Sequence, residues 1–252
     1  MTRLDAATVL LQWATGGLAF LWLTTRHREV GPGYGWLMRS IFLLLGAGSL
    51  AAGLALGVEP VREVGCAVLV AATLIALAIS IRRKAGFNPM IDLVAPAAGL
   101  VGLVAAGIAA SAGGGNPALS VARTIAGAAF LGAVSDAMLL GHWYLVQPGL
   151  PRRFLSEMVR ALMVVWPFEV ALLLIPTGMV SVINGSIDDG WNGTLGWFWI
   201  ACSVATIVLC FVTRAALRER AYSAVMAATG LLYLAILTAF GTDLVARAVL
   251  AG

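Results

Sequence analysis

Charge is what this sequence has least of. Only 11% of its 252 residues are Asp, Glu, Lys or Arg, less than half the roughly 25% of an ordinary soluble domain. With 61% hydrophobic residues and a mean hydropathy of +0.96, the chain has no room for a soluble domain of any size. Histidine is nearly absent too, with only His27 and His142. A haem takes axial ligands, often a His pair, and His27 lies in the solvated-looking run Arg26-His27-Arg28-Glu29, so haem is not expected. Zinc or copper would need further ligands at sensible spacing, and none is present, so no metal site is expected. Cys66, Cys202 and Cys210 fall inside apolar runs and form no CxxC pair. They read as small core residues, not as a disulfide framework. Gly-rich nucleotide loops, HExxH, GxSxG and Ser-x-x-Lys elements are missing, so no independent catalytic motif is legible.

The net charge of +4 does not point to nucleic acid. The basic residues are dispersed among loops and lack the interleaved stacking aromatics of such a surface. Positive cytoplasmic loops are the ordinary reason for such a balance.

What remains is a succession of apolar runs. A membrane span needs about 20 such residues, so about eight would use up the chain. The expected spans are 6–25, 36–56, 64–81, 90–112, 119–146, 154–179, 195–212 and 222–245. Lipid cannot satisfy free backbone groups, so each must be a helix. The expected fold is all-α: an eight-helix, multi-pass transmembrane bundle, with residues 1–252 as one transmembrane domain. The opening Met1–Asp5 resembles a signal-peptide start. The run after it is too long, and no small-x-small cleavage site precedes Arg26, so it is expected to stay as the first span.

Twelve of the sixteen basic residues belong to the connections after the first, third, fifth and seventh spans and their helix ends. Arg3, Arg62, Arg123 and Arg247 lie on the other side. The positive-inside rule then places the basic loops in the cytoplasm and both termini outside, in a bacterial cytoplasmic membrane. Two four-helix halves would be parallel in topology, but their residues do not match, so no repeat is evident.

Residues 135–169 carry the candidate chemistry. Asp136 and Glu169 lie inside apolar runs, where an acid is protonated, paired or facing water; both are candidate proton-transfer residues. Pro167 and Pro176 release carbonyls at Met163 and Leu172, as happens where helices line a polar cavity. Where the two runs meet, His142, Trp143, Tyr144, Gln147, Arg152 and Arg160 suit a flat, apolar ligand with a polar head. His142 and Gln147 would be donors, Trp143 a wall, and Arg160 the charge that holds Asp136 or the head group. Membrane lipid or a quinone is the expected ligand; no cofactor is expected to be covalently bound.

Eight helices without a haem pair resemble in architecture, though not in residues, the quinone-handling membrane anchors of some respiratory oxidoreductases. The leading expectation is therefore an integral membrane subunit of a larger redox complex. It would have protein partners and bind quinone or lipid where spans five and six meet, with proton transfer through the buried acids. The alternative is a stand-alone proton- or ion-coupled carrier or channel using Asp136 and Glu169. A membrane-embedded lipid enzyme with His142 as base is a third reading.

Overall fold

The structure, a computed structural model, describes residues 5–175 and 178–250. Arg3 and Pro176, which figured in the expectations above, lie outside the described residues. Every regular element among those described is helical: α1 (Ala6–Thr25), α2 (Pro32–Leu56), α3 (Pro60–Arg83), α4 (Val94–Ala110), α5 (Pro117–Trp143), α6 (Arg153–Leu174), α7 (Gly178–Ile183), α8 (Thr194–Ala216) and α9 (Tyr222–Leu250). Seven of them, α1 to α5 with α8 and α9, are long and apolar enough to cross a membrane. α4 reaches that length through the 3-10 turn Pro89–Leu93 that leads into it. α6 has 22 residues but carries Arg153, Glu157, Arg160 and Glu169, and it does not qualify by composition.

Several helix ends differ from the apolar runs, each for a local reason. α2, α3 and α5 open on Pro32, Pro60 and Pro117. Proline is tolerated in the first helical turn, where its missing N–H would be unpaired anyway. The Glu59 and Asn116 side chains accept the first free amides, from Arg62 and from Ala118 and Leu119. α5 stops at Trp143, short of Val146, and the following turn is closed by the Tyr144 hydroxyl on the Pro151 carbonyl at 2.7 Å. The sixth run divides. α6 ends at Leu174, and Ile175 is extended (φ −90°, ψ 146°), as the residue before a proline is pushed to be.

α1, α2, α3 and α4 pack in a ring in that order, with α4 closing on α1. α5, α6, α8 and α9 form a second ring in the same order. The two halves thus trace one topology, although their residues do not correspond. α1 and α5 join the rings, and their apolar windows are 61% and 78% buried, against 33–39% for the other five candidate spans.

α1 and α5 touch backbone to backbone. A Cβ on Gly16 would lie 1.7 Å from the Ala128 carbonyl oxygen, and one on Gly132 would lie 2.2 Å from the Gly16 carbonyl carbon. Small residues at such crossings let helices approach closely. Trp13 Nε1–H donates to Ser135 Oγ at 2.7 Å, and Gln12 Nε2–H to the Thr124 carbonyl at 2.7 Å, along the same seam.

The loops fall into two sets. Arg152 donates to the carbonyls of Glu219, Arg220 and Ala221, and Gln147 bonds Gly31 and Glu29. These ties hold the α1–α2, α5–α6 and α8–α9 turns at one end, the basic-loop end. Asp5 and Leu250 lie at the other, terminal end, where both line a common cavity.

Candidate functional site: a buried acid pair beneath a cavity at the terminal end

The terminal end holds a cavity of about 690 Å³, within the 300–1,000 Å³ usual for ligand pockets. Arg62, Arg123 and Arg247 all line it. These are the described basic residues of that end, set 61 and 124 positions apart in sequence and gathered by the helix rings.

Each arginine is held differently. Arg62 is 4% exposed; its guanidinium donates to Asp5, Glu63, Thr8 and the Gly57 carbonyl. Arg247 reaches back one turn along α9 to Asp243, with Nε 2.8 and 2.9 Å from its two oxygens, and its Nη2 donates to the Arg123 carbonyl at 3.1 Å. Arg123 makes no carboxylate salt bridge among the described residues. It donates to the Leu172 carbonyl at 2.8 Å and to the Ile175 carbonyl. Those groups are orphans at the C-terminus of α6, and Leu172 is the carbonyl that a proline at 176 leaves without a helical donor.

Glu169 lies beneath this layer. It is 0% exposed, and neither carboxylate oxygen has a hydrogen-bond partner among the described residues. The charges acting on it are Asp243, Arg247 and Arg123. Asp243 is also 0% exposed. Two carboxylates and two guanidiniums therefore form a compact group, and Glu169 is the member without a closed contact. Gly127 makes room for it: a Cβ there would lie 2.2 Å from Arg247 Nη2, 2.6 Å from Asp243 Oδ1 and 2.9 Å from Gln12 Nε2. Gln12 is fully buried, lines the cavity and has its own Oε1 unpaired. Beside Glu169 on α6, Trp166 donates to the Ser203 carbonyl at 3.0 Å. Ser203–Thr242 and Thr206–Thr238 continue a line of hydroxyls between α8 and α9.

Asp136 occupies a different place. The Tyr34 hydroxyl donates to its Oδ1 at 3.0 Å, and Oδ2 is unpaired. It sits seven residues from the basic-loop end of α5, about 10 Å at the helical rise. Glu169 sits five residues from the opposite end of α6, about 8 Å. The two acids therefore belong to separate polar layers.

The residues expected at the α5–α6 junction diverge. His142 is exposed and turned toward α9, with Nδ1 3.3 Å from the Tyr233 hydroxyl. Trp143 donates to Gln147 Oε1 at 3.2 Å, and the same oxygen accepts the Gly31 N–H at 2.9 Å. Tyr144 is buried on the Pro151 carbonyl. Arg152 braces the α8–α9 turn. Arg160 is exposed and makes no hydrogen bond or salt bridge among the described residues; Asp136 is met by Tyr34 instead. Among the described residues no three His, Cys, Asp or Glu side chains come together as a metal-ligand set.

No protein-family model matches this chain, and no curated protein or solved structure is significantly similar to it. The residues that sequence reasoning passed over are Gln12, Arg123, Gly127, Asp243 and Arg247. One signal was available: Asp243, near the end of the last apolar run, and Arg247, just past it, are a charged pair at helical spacing.

Proposed function

We propose that this protein is a membrane carrier that couples a proton held on Glu169, beside Asp243, to a small polar solute entering the terminal-end cavity. The observation that carries this reading is Glu169: fully buried, without a hydrogen-bond partner, and beside a second buried acid. Two neighbouring carboxylates in a low-dielectric site do not both ionise cheaply; Asp243 has both oxygens on Arg247, so Glu169 is the one that takes the proton. Arg123 and Arg247 compensate the charge when that proton leaves. Protonation thereby alters the charge facing a solute in the cavity, which is the coupling a carrier needs.

In this reading α6 is the eighth span, and its acid faces the bundle interior. Both termini and the cavity face outward, the basic loops face the cytoplasm, and the membrane is a bacterial cytoplasmic membrane. A subunit of a redox complex binding quinone at the α5–α6 turn is the competing reading. The carrier is preferred because Gln147 and Arg152 bond between turns and His142 faces Tyr233 of α9.

Infrared titration of the purified protein tests the proton. The wild type is expected to show a protonated-carboxyl C=O band that is lost in Glu169→Gln, with an unchanged elution profile; a band identical in both refutes the proton on Glu169. Pyranine-loaded proteoliposomes test the coupling with small carboxylates, amino acids and sugars. Solute-dependent acidification is expected in wild type and not in Glu169→Gln. Its absence for all three classes refutes the carrier.

A further inference from the structure

The basic-loop end has a second cavity, of about 270 Å³, between the α1–α2 turn, α2 and the end of α3. Arg28, Arg39 and Lys84 line it, with Gly31, Trp36 and Phe87. Arg39 forms its floor. It is 3% exposed and donates to both oxygens of Asp92, from Nε at 2.7 Å and Nη2 at 2.6 Å. The Phe87 ring covers its guanidinium at 4.5 Å. A Cβ on Gly35 would come within 2.6 Å of Arg39 Nη1, so glycine lets that nitrogen lie against α2. Nη1 makes no hydrogen bond among the described residues.

Arg28 and Lys84 stand over this floor, and neither side chain has an ionic or hydrogen-bond partner among the described residues. Both have positive φ, 59° and 46°. That backbone region is costly for residues with a Cβ, and it persists where the surroundings impose it. The only other non-glycine case among the described residues is Asn192, a type that tolerates it. The two strained residues are thus the two free cations of one cavity. The remaining charges cancel: Arg39 against Asp92, and Glu29 against Arg153. Two uncompensated positive charges converge on a space sized for a phosphate and a short polar stem.

Exposed apolar side chains border this space. Leu37, Ile81 and Met90, each next in sequence to a lining residue, are 41%, 50% and 58% exposed. Basic cavities between helices at a membrane face hold anionic head groups.

We propose that this cavity is a phosphate-binding site, with Arg39 as its fixed floor and Arg28 and Lys84 as its clamps. The adjoining apolar surface favours a phosphate carried by an anionic lipid. The site is independent of the proton carrier, since it lies at the opposite end of the bundle from Glu169.

Native mass spectrometry of wild type and Arg28→Gln/Lys84→Gln tests it, with phosphatidylglycerol against phosphatidylcholine, beside melting curves in inorganic phosphate against chloride. Each cation near a membrane face contributes about 1 kcal/mol, so the double variant is expected to lose roughly thirty-fold in phosphatidylglycerol affinity. Selective retention of phosphatidylglycerol that is lost in the variant supports a lipid-borne phosphate. A phosphate-dependent rise in melting temperature that is lost in the variant, without lipid selectivity, supports free phosphate. Neither effect in a variant that elutes as wild type overturns the site.

Discussion

Gly16→Ala tests the seam on which both rings depend. The added Cβ would stand 1.7 Å from the Ala128 carbonyl oxygen and 2.6 Å from its carbon, against an ordinary contact of 3.4 Å or more. Both obstacles are backbone, so no rotamer change relieves them, and α1 and α5 must part by about 1.7 Å, the difference between those two distances. A gap of even 0.5–1 Å forfeits a quarter to a half of each dispersion contact, and overpacking of this kind costs roughly 1–3 kcal/mol. The same separation carries Gln12–Thr124 and Trp13–Ser135, now 2.7 Å each, beyond hydrogen-bond range. At about 0.6 kcal/mol per interhelical bond in a membrane, the total comes to roughly 2–4 kcal/mol. For a chain of this length that is a fall of about 5–15 °C in melting temperature, measured by thermal aggregation in detergent. Gly230→Ala is the control: it is exposed on α9 with nothing within 4 Å of the added Cβ, and it should hold or slightly raise the melting temperature. If Gly16→Ala melts with that control, the backbone crossing of α1 and α5 is wrong.

Asp92→Ala strands the buried Arg39 charge and should destabilise by about 3–5 kcal/mol, whereas Asp92→Leu combined with Arg39→Met should recover most of that loss; equal melting temperatures for the two variants would remove the ion pair from the account. Asp189 lies in the α7–α8 loop and receives the N–H groups of Trp191, Gly193 and Leu195, each at 2.9 Å. Burial alone would raise its carboxyl, but the amides of Gly193, Trp191, Leu195 and Gly196 outweigh this and hold it below the usual carboxylate range. A carboxyl so lowered stabilises the loop above its unfolded pKa of about 3.9 and loses that contribution as pH falls further through the folded value. The protection factors of the amides over 189–196, exchange rates taken relative to the intrinsic base-catalysed rates, should therefore be flat from pH 5 to 8 and fall below about pH 4, while Asp189→Ala should show low protection throughout; wild-type protection in that variant at neutral pH would remove the loop's anchor.

The helices were legible because lipid leaves the backbone one option. An apolar run of span length has to hydrogen-bond within itself, and seven of the eight runs became helices suited to crossing. Their ends were less legible, because proline and capping side chains, not hydropathy, decide where the first and last turns form. Trp143, Tyr144, Gln147 and Arg152 looked like parts of one pocket since they are close in sequence. Closeness along a turning chain sends side chains in different directions, however, and here Gln147, Tyr144 and Arg152 each close a different turn. The terminal-end cavity failed to show for the opposite reason. Gln12, Arg123, Glu169 and Asp243 come from four helices and meet only through the order of the rings. Arg62, Arg123 and Arg247 had been useful only as the minority in a charge count.

How completely each buried acid is satisfied sorts structure from chemistry within that same small set of charges. Asp92 has both oxygens on one guanidinium, and so does Asp243. Glu63 gives Oε1 to Arg62 and leaves Oε2 unpaired. Asp136 has one oxygen on a hydroxyl, and Glu169 has none on any donor. A closed pair gains from staying as it is, because removing either partner leaves a buried charge. An acid without donors gains from acquiring a proton, and a proton is the one ligand small enough to reach a fully buried site. In the carrier proposed above, this ranking puts Glu169 first and Asp136 second as groups that would change state. The two lie in polar layers near opposite ends of the bundle, so a proton moving between the faces would meet one and then the other.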